Sequence, residues 1–235
     1  MSTFEDLTFS VEKFSGKARL FPLPNLVLFP HVMQPLHIYE QRYRDMLEDA
    51  LAGDRLLSMA LLTPGWETNY EGRPPLYPVA CLGRITTHFR LADGTYNVLL
   101  LGLRRVKLVY ELKPKHLFRE AKVEIREDLY PSREIKQYDL LNRQLREAFL
   151  KILPFLPEAQ DQLDQLIDTD VSLGMLTDII SYMLDIDPGQ KQSLLTECDV
   201  YRRTELLLKY LAAASEGLED DNSSFSDFPP LFSEN

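Results

Sequence analysis

Few residues in this chain carry catalytic side chains at a spacing that catalysis uses. A phosphate-cradling loop needs a glycine five residues before its Gly-Lys pair and a hydroxyl directly after it. The one Gly-Lys pair is Gly16-Lys17, and Val11 and Ala18 stand at those two places. His31 and His37 are separated by a segment containing Pro35, and neither Cys81 nor Cys198 has a close partner, so no metal-ligand spacing exists. Neither the nucleophile-elbow pattern G-x-S-x-G nor H-E-x-x-H occurs. No catalytic residue, no cofactor and no metal are therefore expected.

The chemistry left is that of binding. Residues 63–78 hold four prolines and two glycines, the composition of a long loop. Long irregular loops in compact domains are often functional, and loops carry function more often than they carry core. This one contains the single tryptophan, Trp66, with Tyr70 and Tyr77. The apolar stretch that carries His31, Met33 and Leu36 is expected to form a groove walled by this loop. His31, Met33, Leu36, Trp66, Tyr70 and Tyr77 are the candidates for lining a binding groove, with ordinary core the competing reading for the first three. Arg84, Arg90, Arg104, Arg105, Lys107, Lys113 and Lys115 would make a basic sheet face. Only Phe89 and Tyr96 interleave with them, so a solvated face is the simpler reading than a stacking platform for nucleic acid.

The elements that must position these residues begin with the stretch from Leu20 to Ala52. Pro22, Pro24, Pro30 and Pro35 break its apolar run into short extended pieces at 20–23, 26–29 and 32–38, because proline fixes φ and removes a ladder donor. The period then changes to three or four. Ile38, Tyr39, Tyr43, Met46, Leu47 and Ala50 predict one face of a helix over 39–52, with Gly53 as its stop. Residues 55–62 have strand length and composition. Residues 79–90 and 95–101 flank Asp93-Gly94, a hairpin signal. Gly102 marks a bend or bulge, and 105–110 and 118–125 alternate as half-buried strands do. Six or seven short strands around one helix point to a small mixed barrel.

Beyond Pro131 the pattern is helical. Tyr138, Leu141, Leu145, Ala148, Phe149 and Ile152 form a stripe over about 132–153, and a shorter helix is expected at 158–167. Asp170, Asp187 (followed by Pro188) and Asp199 read as N-caps of three further helices. The last of them is expected to reach about Ser215. The resulting division is a flexible arm at 1–16, a β domain at 17–130, a helical bundle at 131–215 and a disordered acidic tail at 216–235 with scattered Phe and Leu.

The net charge of −10 is uneven, +4 over residues 17–127 and −6 in each of 128–215 and 216–235. That distribution argues against a partner that is a polyanion. Two distant cysteines suit a reducing compartment, the first residues lack a secretory pattern, and no apolar run approaches the length of a membrane helix. A cytoplasmic location without membrane contact is expected.

Several blocks together resemble the amino-terminal, substrate-binding domain of the Lon ATP-dependent proteases. They are Leu20-Phe-Pro-Leu-Pro-Asn-Leu-Val-Leu-Phe-Pro-His31, Gln34-Pro-Leu36, Val79-Ala-Cys-Leu-Gly-Arg-Ile85, Leu91-Ala-Asp-Gly-Thr95 and Val98-Leu-Leu-Leu-Gly-Leu-Arg-Arg-Val-Lys-Leu108. In the helical part, Asp187-Pro-Gly-Gln-Lys-Gln-Ser-Leu-Leu195 ahead of Asp199-Val-Tyr-Arg-Arg203 is similar to the segment before that family's last helix. The order covers about residues 17–215. The resemblance implies an α+β architecture: a barrel like that of pseudouridine synthase and archaeosine transglycosylase (PUA-like), followed by an all-α bundle.

The resemblance also implies a function. Lon proteases continue into ATPase and Ser–Lys protease modules, and none of their residues can be assigned here. The expectation is a stand-alone, non-catalytic module that binds unfolded or exposed apolar polypeptide segments, with a separate ATPase or protease as a possible partner. The alternative is a nucleic-acid-binding PUA-like protein, which rests on fold analogy alone.

Overall fold

A computed structural model of the chain describes residues 9–70, 72–131, 135–152, 171–220 and 233–234. Contacts divide the chain into two units, residues 1–127 with 229–235, and residues 128–228.

In the first unit five strands close into a barrel. They are β1 (Lys17–Leu23), β3 (Leu56–Leu61), β4 (Val79–Arg90), β5 (Tyr96–Glu111) and β6 (Arg119–Arg126). Around the ring β1 runs parallel to β3, and the other four pairings, β3–β4, β4–β5, β5–β6 and β6–β1, are antiparallel. The single parallel pair follows from the connection between β1 and β3, which crosses over through β2 (Met33–Ile38) and the helix α1 (Gln41–Ala52). Small and branched residues alternate into the barrel, among them Ala18, Leu20, Ala60, Leu82, Val106 and Val123. Every residue of β3 is buried. Helix α1 buries Tyr43, Met46, Leu47 and Ala50, and Tyr43 meets Phe21 of β1 ring to ring at 4.6 Å.

Strand β5 is longer than the barrel needs. Its second half pairs with β6 and its first half, Tyr96–Leu101, pairs with β2, while β4 follows it along most of its length. The changeover falls at Gly102. His31 N–H donates to the Gly102 carbonyl at 2.8 Å, and Gly102 N–H donates to the Val32 carbonyl at 2.8 Å. The register against β4 slips at the same point, leaving Leu103 as the extra residue of a bulge. A Cβ on Gly102 would stand 1.9 Å from the Phe29 carbonyl oxygen, so only glycine fits.

Several local expectations are corrected. The helix begins at Gln41, so Ile38 belongs to β2 and Tyr39 is exposed rather than on the helix's buried face. Residues 26–29 are irregular, with 27–29 buried, because the Phe29 backbone is pressed against Gly102 instead of pairing in a ladder. Residues 96–101 and 105–110 are parts of one strand, which begins one residue later than expected. In the opening arm, Phe9 and Phe14 pack against the barrel's hydrophobic cluster.

In the second unit the described helices are α2 (Ile135–Ile152), α3 (Leu173–Met183), α4 (Pro188–Thr196) and α5 (Val200–Asp220). Ser172 caps α3, accepting from Met175 N–H at 3.2 Å. Asp187 and Gln190 make a capping box for α4. Asp199 accepts from the N–H groups of Tyr201 and Arg202 at the start of α5. Helix α5 runs to Asp220, five residues past the expected end. Its buried residues Val200, Thr204, Leu207 and Leu211 share a face, and Leu141, Leu145, Phe149 and Ile152 form that of α2. Arg203 is fully buried and bonds Asp128 through both Nη atoms. The helix expected at 158–167, the cap expected at Asp170 and most of the expected acidic tail lie outside the described residues.

Candidate functional site

A cleft of about 400 Å³ opens on the first unit, between the start of α1, the 63–78 loop and residues 117–119. The chain turns into α1 at Glu40, whose carboxylate does not cap the helix and is spent sideways instead. Its Oε1 accepts from Tyr70 Oη at 2.7 Å, and its Oε2 lies 2.7 Å from Arg42 Nη2. That second contact is an ion pair too poorly angled for a hydrogen bond. The Arg42 guanidinium carbon stands 4.7 Å from the centroids of both the Tyr43 and Tyr70 rings. Trp66 meets Tyr70 edge-on, with centroids 5.5 Å apart at 69°.

Phe21, Tyr43, Arg42, Tyr70 and Trp66 thus form a ladder of rings around one cation, running from buried core to half-buried loop. The Arg42 Nε atom is buried with no acceptor among the described residues. Burial, aided by its bond to Glu40, pushes the Tyr70 phenol up to about 12. Burial also pushes Tyr43 well above its ordinary value. Both rings therefore stay neutral and donating at physiological pH.

The opposite wall is held by Arg119. Its Nε donates to Glu111 Oε2 at 2.9 Å, its Nη2 to Glu111 Oε1, and its Nη1 to the Pro74 carbonyl at 2.8 Å. Arg73 reaches the same carboxylate at 3.4 Å. Pro74 is thereby tied to strand β6, which fixes one side of the cleft. Phe118 is buried beside it, and Leu117 is 71% exposed at the rim.

Of the six sequence candidates, Tyr70 lines the cleft and Trp66 packs on Tyr70. Tyr77 is half-buried and pairs through its N–H with Leu61, away from the cleft lining. His31 is exposed in the left-handed region at φ 69, and Met33 is exposed on β2. Leu36 is 1% exposed and packed on the inner side of β2. The structure therefore brings two of the six together at the cleft. Glu40, Arg42, Leu117 and Arg119 were not read from the sequence; a charged residue at a helix start and one in a strand give no local signal of a shared cleft. The seven basic residues do not share one solvated face, since Arg105 is 2% exposed. Among the described residues no group of three His, Cys, Asp or Glu side chains could hold a metal ion.

A partly exposed cation flanked by neutral rings, in a cleft lined by both charged and apolar residues, suits an aliphatic or aromatic side chain together with a carbonyl or carboxylate oxygen.

Comparison with known proteins agrees with this reading of the fold. The family model described as the ATP-dependent protease La (LON) substrate-binding domain matches residues 17–213. A Lon protease of Cytophaga hutchinsonii is 26% identical over 219 residues, 92% of this chain and 26% of that protein. A Lon protease of Heliobacterium modesticaldum is 29% identical over 209 residues, 85% of this chain and 24% of that protein. The chain thus spans about a quarter of the length of the curated relatives it matches. Among solved structures, a Lon N-terminal domain protein from Xanthomonas campestris superposes with a TM-score of 0.59 at 24% identity, over 82% of this chain and 97% of that one. The N-terminal domain of the Mycobacterium avium complex Lon protease gives 0.64 at 18% identity, over 83% and 98%. No helix among the described residues is long and apolar enough to cross a membrane.

Proposed function

The chain belongs to the Lon substrate-binding domain family, and on that premise we propose that it is a non-catalytic module that holds exposed apolar segments of client polypeptides. The cleft beside Arg42 is the seat of that binding. The observation that carries the reading is the ladder itself: Arg42 between the Tyr43 and Tyr70 rings, with Trp66 packed on Tyr70. A client side chain entering there would meet Pro22, Leu62, Leu117 and Phe118, and a client backbone carbonyl would meet the partly exposed Arg42 guanidinium. Met33 and His31, exposed on and beside β2, would extend the contact surface, while Leu36 supports it from within. Tyr77 would hold the loop.

In this reading the module delivers clients to a separate ATPase or protease in the cytoplasm. The nucleic-acid alternative gains little from the basic residues, because Arg105 is buried and Arg119 is ion-paired within the cleft wall.

Trp66 is the only tryptophan, so its emission reports on this one place. Titration with a reduced, alkylated unfolded protein should shift that emission saturably, and the shift should survive moderate salt. No shift at saturating client would overturn the proposal. A shift seen only with RNA, weakening steeply with salt, would favour the alternative.

A further inference from the structure

Strand β2 has a second edge, away from β5, and that edge is paired by the chain's own last residues. Val32 gives its carbonyl to Gly102 N–H, and the alternation of an antiparallel ladder then turns the backbone groups of Gln34, Leu36 and Ile38 toward β5. The backbone groups of Met33, Pro35 and His37 are left facing the other way. Pro35 has no N–H, a feature that protects an exposed edge from indiscriminate pairing. Directly after it, β7 (Ser233–Glu234) pairs in parallel, with Leu36 opposite Ser233 and His37 opposite Glu234. Among the described residues nothing else pairs with this edge.

We propose that the outer edge of β2 is an acceptor for one extended strand, and that its resident occupant is the C-terminal segment of the same chain. The pairing recruits residues from a stretch, 216–235, that carries six acids and no bases, with Phe225, Phe228, Leu231 and Phe232 upstream of the contact. An external segment could take the edge only by displacing that occupant, so the tail selects against weak strand donors. The Arg42 cleft is a separate place, and the inference does not depend on how the cleft is used.

The test is backbone amide exchange in the full chain. His37 N–H faces the Ser233 carbonyl in a parallel pair of this register, whereas Met33 lies on the same edge outside the two-residue pairing. His37 should exchange slowly and Met33 fast. Ser233→Pro should speed exchange at His37 by roughly tenfold or more while leaving Met33 unchanged. Excess synthetic peptide of residues 225–235 should then restore protection at His37. Unchanged Trp66 emission checks that the variant is folded. Equal exchange at His37 in both proteins, or a peptide that restores nothing, would overturn the proposal. Protection that rises with protein concentration would place the pairing between copies and overturn it as well.

Discussion

Arg203 and Asp128, seventy-five residues apart, meet through two parallel bonds, Nη1 to Oδ1 at 2.9 Å and Nη2 to Oδ2 at 2.7 Å. The guanidinium also donates to the Glu197 carbonyl and to Thr177 Oγ1, and its Nε lies 3.5 Å from Asp178, which is 1% exposed. One buried cation thus joins the segment entering the helical unit to α3 and α5. Removing it takes a cation from beside the buried Asp178 carboxylate. Arg203→Met should cost about 3–5 kcal/mol, read as a lower urea midpoint. Adding Asp178→Leu should recover part of that loss, because one buried negative charge is then gone.

Gly102 is set against the Phe29 carbonyl with no room for a side chain. The neighbouring atoms are backbone, which cannot rotate away. Gly102→Ala should destabilise the barrel unit by about 3 kcal/mol or more, visible as a lower melting temperature. Gly65→Ala, where a Cβ meets nothing within 4 Å but φ is +88, should cost only about 1 kcal/mol of backbone strain.

Arg42 is exposed enough to be replaced without opening the core, its side chain being 17% accessible. Arg42→Ala removes the platform under Tyr70 and leaves Trp66 as reporter. Client affinity should fall by roughly tenfold, about 1–2 kcal/mol, in the Trp66 titration. The urea midpoint should move far less.

Leu36 separates packing from contact on the same strand. Leu36→Ala leaves a cavity behind β2 and should cost about 2–5 kcal/mol of stability. Met33→Ala, on the exposed side, should cost less than about 0.5 kcal/mol.

Lys191 donates to the Tyr182 carbonyl at 2.8 Å, and burial pushes its amine down to about 8, with Asp185 opposing. Below about pH 8 both folded and unfolded chains hold the proton, and the folded state bears the cost of the partly buried cation. Between about 8 and the ordinary 10.5 the folded chain releases its proton first. The unfolded state then binds more protons, so stability attributable to this lysine rises with pH across that window. The rise should appear as a higher urea midpoint relative to Lys191→Met, and the difference between the two proteins should flatten below about pH 8.

Much of the architecture was legible because local signals agreed with one another. The hairpin at Asp93-Gly94 forms with Gly94 at φ +85, and Leu91 N–H closes it onto the Thr95 carbonyl. Asp187 and Pro188 open a helix where their types predict one. The start of α1 was misplaced because Ile38 and Tyr39 continue the helical period by chance while their backbone is already committed to β2 and to the turn after it. Only pairing with β5 distinguishes the two.

The candidate site was legible in its aromatic half alone. A tryptophan and a tyrosine in a Pro/Gly loop announce themselves by composition, but Arg42 and Arg119 are ordinary charges until the fold sets them across one cleft.

The sequence by itself determined the kinds of element, their order and the family, since periodicity, caps and turn residues act over a few positions along the chain. Only the tertiary structure decided that the ring closes through β1 against β3 and β6, that Tyr70 reaches Arg42, and that Ser233 and Glu234 reach β2. Those contacts join positions tens to almost two hundred residues apart, and no local preference encodes them; they exist because burying the apolar faces leaves few ways to satisfy every backbone group at once.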